Sequence, residues 1–186
     1  MALNDRLGAS LATFCALVPL ADADGARREI ESWAQGADSP FGRLPQVHFA
    51  RFVIIPGLER QVADQPADEL DAPYLMFSTF FDGDRDALLA ALCDELGDEA
   101  DRAWRHCRGY PGHPREQGAT FRRWLEDHRV AATAIFGAYP DASVRDVRRA
   151  LEFRERFRAF AFGVEAGRTT RSAFDDFDAG LNGGSA

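Results

Sequence analysis

Gln46 to Ile55 reads QVHFARFVII and is stopped by Pro56-Gly57. β-branched and aromatic residues dominate the run, the composition of a strand rather than a helix. A period of two places His48, Ala50, Phe52 and Ile54 on one face and Val47, Phe49, Arg51, Val53 and Ile55 on the other. A second strand is predicted at Tyr74 to Phe81 (YLMFSTFF), closed by Asp82-Gly83. The polar, proline-bearing stretch Leu58 to Pro73 then reads as a long surface connection between paired strands. A third strand is predicted at Val130 to Tyr139 (VAATAIFGAY), and Asp101 to Tyr110 as a helix running into a strand. Helices are predicted from Asp24 to Gln35, Asp84 to Leu96, Thr120 to His128 and Ser143 to Phe162, the last opened by the capping box Ser143-Val144-Arg145-Asp146. This order predicts an α+β fold: a ferredoxin-like antiparallel sheet of about four strands, in a permuted order, covered by helices on one face.

The whole chain has 186 residues, 46% of them hydrophobic and 28% charged, which suits one well-cored domain over 1–186. Within it the expected organisation is a helical segment over 1–36, the ferredoxin-like core over 46–162 and a polar tail over 163–186, frayed where it ends in Asn182-Gly183-Gly184-Ser185. Near the start, Leu3, Leu7, Leu11, Phe14 and Val18 recur at helical spacing, and Asp5 beside Arg6 replaces the basic cluster of a signal peptide. A buried helix face is the expectation there.

Thirty acidic against 22 basic side chains give a net charge of −8, which argues against a nucleic-acid partner. No apolar run approaches the roughly 18 residues of a membrane span. Cys15, Cys93 and Cys107 are odd in number and show no repeated spacing, so a reducing, cytoplasmic setting is expected rather than a disulfide framework.

His48 is the most pointed residue, a titratable ring in a strand otherwise built of apolar and aromatic groups. It suits a base, a haem ligand or a recognition donor, and equally a structural histidine bonded to a carboxylate or a backbone group. Arg51, three residues on, faces the opposite way on a regular strand, so the two meet only through a bulge or a dimer partner. His106-Cys107-Arg108-Gly109-Tyr110-Pro111-Gly112-His113 gathers imidazole, thiol, guanidinium and phenol at an element boundary. His106 and His113 are candidate metal ligands, although their spacing with Cys93 and Cys107 matches no standard zinc pair. Tyr139-Pro140 repeats the ending Tyr110-Pro111, so both tyrosines are candidates for the rim of one cavity. Fifteen phenylalanines, Phe52 among them, supply either a ring-lined pocket or a dense core.

VHFARFVIIPG, YLMFSTFFDGD, WRHCRGYP and IFGAYPDASVRDVRRAL together resemble a set of bacterial peroxidase-like proteins related to the dimeric α+β barrel superfamily. The resemblance runs from about Pro45 to Arg158. It implies an oxidoreductase, either a haem peroxidase or a cofactor-free monooxygenase, that acts on a hydrophobic, aromatic small molecule between the sheet and its helices, as a homodimer. His48 would be acid/base or iron ligand, Arg51 an anion stabiliser, and Phe52, Cys107, Tyr110 and Tyr139 pocket groups. Residues Ser78 to Gly83 depart from the GxxDG signature of dye-decolourising peroxidases, and no histidine follows His128. The alternative is a non-catalytic ligand-binding or interaction module that uses the same sheet face.

Overall fold

The computed structural model describes residues 6–7, 11–33, 38–58 and 70–182. They fall into two compact units, Met1–Ser143 and Val144–Ala186. The connection predicted from Leu58 to Pro73 lies mostly outside the described residues, as do Leu3, Asp5 and the last four residues of the tail.

The first unit is α+β. Its sheet has three long antiparallel strands, β2 (Leu11–Pro19), β3 (Val47–Ile55) and β4 (Tyr74–Asp82), with β4 in the centre, and the two-residue strand β1 (Arg6–Leu7) pairs beside Leu11 and Ala12 on the outer edge of β2. β3 and β4 lie where the sequence places them. β2 occupies the segment read as a helix. Leu11, Ala12, Thr13 and Phe14 are all buried, so no polar alternation marks the strand, and Leu11, Phe14 and Val18 satisfy a helical period by coincidence.

The predicted strand Val130 to Tyr139 is a second correction. Only its approach pairs with the sheet: Arg129 bridges Ala16 antiparallel, and the Val130 N–H donates to the Cys15 carbonyl. Beyond this the chain has no regular structure and is exposed or half-buried until the Leu11 N–H donates to the Pro140 carbonyl. The outer edge of β2 is thus shared among β1, Arg129 and a bridge from Leu20 to Cys107, which leaves no continuous slot for a further strand.

Among the described residues this unit has four α-helices, α1 (Ala23–Glu31), α2 (Arg85–Glu95), α3 (Gly97–Trp104) and α4 (Gly118–Asp127), and a 3-10 turn at Pro40–Arg43. Asp22 rather than Asp24 caps α1, accepting from the Gly25 N–H, and Asp84 caps α2 through the Ala87 N–H. Phe14, Ala16, Val18, Leu75, Phe77 and Phe81 from one sheet face meet Leu88, Leu89, Leu92, Trp104, Phe121 and Leu125 from the helices. Among the described residues no helix is long and apolar enough to cross a membrane.

The second unit is a helical hairpin, α5 (Val144–Glu165) and α6 (Thr170–Asn182). α6 forms where the sequence reads as a polar tail. Gly167, with φ of +90°, supplies the left-handed residue of the turn, and the Thr169 hydroxyl accepts from the Ser172 N–H as the cap of α6.

Candidate functional site

A β-bulge organises the outer face of the sheet. Val47 lies opposite Phe81 and Phe49 opposite Phe80, so His48 is one residue too many and the alternation shifts around it. Val47 joins Ala50, Phe52 and Ile54 against the core, and His48 turns to the face away from the helices, toward Asp82. The His48 Nε2 lies 2.8 Å from Asp82 Oδ1. The bulge also takes the Phe49 carbonyl as acceptor for the buried Thr79 hydroxyl, at 2.9 Å. Arg51, opposite Ser78, shares this outer face, so the bulge is what brings His48 and Arg51 to one side.

The interior between sheet and helices is a packed aromatic core. Phe52 points into it, with its ring 5.0 Å from Phe77, 5.1 Å from Trp104, 5.6 Å from Trp33 and 6.0 Å from Phe41. At the β3 edge this layer opens into a cleft of about 240 Å³, lined by Ile30 and Glu31 of α1, Trp33, Ser39, Phe41, and Ala50, Arg51 and Phe52 of β3. Arg51 is exposed, and its guanidinium makes no hydrogen bond or ion pair among the described residues. Trp33 and Phe41, which sequence reading left in the core or unassigned, complete the aromatic wall. Their signal was two large rings close in sequence before β3, Phe41 within the 3-10 turn Pro40–Arg43.

The other expected site residues lie elsewhere. Cys107 is buried beside Leu20, and burial pushes its thiol up to about 12; burial likewise pushes Cys93 up to about 11. The Tyr110 hydroxyl donates to Asp101 at 2.8 Å, and burial first, then that bond, raises its pKa. Tyr110 packs on Phe121 and Trp124, whereas Tyr139 is 78% exposed, so the two tyrosines do not rim one cavity. His106 Nδ1 faces Asp22 at 3.3 Å and His113 Nε2 faces Asp98 at 3.2 Å, each with its own carboxylate. Among the described residues no three His, Cys, Asp or Glu side chains converge as a metal site would require.

These positions also test haem. His48, His106 and His113 each hold a carboxylate, His128 Nδ1 meets the Trp124 carbonyl at 2.8 Å, and the buried Cys107 thiol stays protonated. Each of these contacts uses one ring nitrogen and leaves the other, that of His106 being buried without a hydrogen-bond partner, but among the described residues the β3-edge cleft is lined by no histidine or cysteine and so offers haem no axial ligand.

The raised thiols have a measurable consequence. The folded chain holds protons that the unfolded chain releases, so this contribution to stability is whole below the ordinary thiol value of about 8.5 and falls as pH climbs from there toward 11 to 12. At about pH 8 the thiolate is the reactive form, so iodoacetamide should leave Cys93 and Cys107 of the folded chain unlabelled and label both in urea. Peptide mapping that finds Cys107 alkylated at the rate of a free thiol would overturn this.

No family model matches the chain, and no significant match is found among curated proteins or solved structures.

Proposed function

We propose that the chain is a binding module for a small aromatic acid, held in the cleft at the β3 edge. The observation that carries this reading is a cleft walled by Trp33, Phe41 and Phe52 with Arg51 at its rim, its guanidinium unpaired among the described residues, in a protein of net charge −8. An arginine fork pairs with a carboxylate in two parallel hydrogen bonds, and aromatic walls take a ring edge-on or offset. A cavity of roughly 150 Å³ accepts benzene, so 240 Å³ suits one ring with a short acidic arm. The fold supporting this reading is ferredoxin-like: β2, α1, β3 and β4, then helices, with a fourth strand reduced to the Arg129 bridge.

Titration calorimetry with benzoate and phenylacetate tests the proposal, with quenching of tryptophan fluorescence as a second signal. Saturable binding is expected, and Arg51→Gln should weaken it roughly tenfold to a hundredfold, the worth of a hydrogen bond to a charged group. Absence of saturation, or equal affinity in the variant, would sink it.

A second reading, an oxidoreductase acting on a hydrophobic aromatic molecule, is favoured by the His48–Asp82 hydrogen bond. A carboxylate that fixes an imidazole is the arrangement of a general base, and Phe49 and Phe80 pair next to it on the outer face, with Val53 and Met76 farther along the same face. Oxygen consumption with candidate aromatics that disappears in His48→Ala supports this reading. Binding without turnover supports the first.

A further inference from the structure

The α5–α6 hairpin carries five phenylalanines in one ladder. Phe153, Phe157 and Phe160 follow a heptad spacing on α5 between Ala150 and Val164, and Phe174 and Phe177 answer from α6. Phe177 lies 5.6 Å from Phe153, 6.5 Å from Phe157 and 5.9 Å from Phe160, and Phe174 lies 6.5 Å from Phe160. Such a cluster normally forms the inside of something. Here Phe153, Phe157 and Phe174 remain about half exposed, at 49%, 51% and 53%, and Val144 and Ala173 are the only buried side chains among the described residues of the unit.

Charge separates the two helices. α5 has six arginines against four acidic residues, and α6 has three aspartates against one arginine. A two-fold axis that lays α5 of one hairpin on α6 of another sets the basic helix against the acidic one twice over, which is the self-complementarity a symmetric dimer needs. A partner of single charge would satisfy one helix and oppose the other. At roughly 200 Å² per phenylalanine, three half-exposed rings from each of two copies contribute about 600 Å² of aromatic surface, a fitting core for an interface of about 1,600 Å².

We propose that two copies of this chain dock hairpin to hairpin, closing a four-helix bundle over the phenylalanine ladder. The test is sedimentation velocity of the full chain. Twice the chain mass of 20.6 kDa is expected for the native protein, and a monomer for the double variant Phe157→Glu, Phe174→Glu. Because that variant can also loosen the hairpin itself, a charge series accompanies it. Arg149→Glu with Arg154→Glu should weaken the dimer at least tenfold, and adding Asp175→Arg with Asp178→Arg to the same chain should restore it, with helix content by circular dichroism unchanged. A native chain that stays monomeric at about 100 μM overturns the proposal. So does a dimer that survives both sets of variants but is dissolved by Phe49→Glu, since that places the interface on the outer sheet face.

Discussion

Trp104→Ala is expected to destabilise Met1–Ser143 by about 3–5 kcal/mol, a large share of the roughly 5–15 kcal/mol that holds a domain together. Trp104 ends α3 and is 1% exposed. Its ring meets Phe52 at 5.1 Å, Phe77 at 5.3 Å and Phe121 at 5.5 Å, each nearly edge-on, so it joins edge strand, central strand and helical layer at one point. Truncation removes the apolar area and leaves a void that rigid neighbours cannot fill. Its Nε1 is buried without a hydrogen-bond partner, which separates packing from polarity. Trp104→Phe keeps part of the contact and deletes the unsatisfied donor, so its loss should be much smaller than that of alanine. Urea midpoints of the two variants measure the difference. Equal midpoints, or an alanine loss under about 1 kcal/mol, would show that the core re-forms around the gap. Phe52 also lines the β3 cleft, so a shift of its ring in the alanine variant should appear as weaker binding of the aromatic acid.

This core explains which parts of the fold were legible in the sequence. β3 and β4 each carry β-branched and aromatic residues up to a turn signal, and the helix from Asp84 has both its cap and its leucine stripe. β2 was not legible as a strand, because its first four residues are buried on both faces and an apolar run without alternation fits either period. Val130 to Tyr139 failed in the opposite sense. Its residues favour a strand, but a strand also needs a free neighbouring edge, and no local pattern reports that β2 has none to spare. The site divides in the same way. Arg51 and Phe52 were legible because both lie on the clearest strand, whereas the bulge that turns His48 to the same face as Arg51 is a one-residue slip in pairing that no residue type announces. Cys107, Tyr110, His106 and His113 looked chemical because they cluster in sequence. In space each is spent on a separate structural contact.

Gly25→Ala should be the most damaging of the conservative changes outside the core. Gly25 sits in the first turn of α1 with ordinary helical backbone, so the demand for glycine there is one of space. A Cβ would lie 2.1 Å from Asp22 Oδ2, 2.5 Å from His106 Cε1 and 2.6 Å from His106 Nδ1. Neither neighbour can yield cheaply. Asp22 caps the helix through the Gly25 N–H, and the His106 carbonyl accepts from the Ala21 and Asp22 N–H groups, tying the end of β2, the start of α1 and the turn after α3 together. Overpacking of this kind costs about 1–3 kcal/mol, and the helix must move to relieve it. Because α1 carries Ile30 and Glu31 into the cleft, the aromatic acid should bind less tightly to a variant in which no lining residue has changed. The acid limb of stability supplies an independent check. The Gly25 N–H bond, with the nearby His106, holds the Asp22 carboxyl below its ordinary value, so the capped helix gains stability above the unfolded carboxylate pKa and loses it as pH falls through the lower, folded one. With the cap displaced, melting of Gly25→Ala should lose that part of its pH dependence while the alkaline limb set by Cys93 and Cys107 persists. A variant whose melting and acid limb match the native chain would show that His106 swings away freely, and would remove the Asp22–Gly25–His106 contact from any part in positioning the cleft.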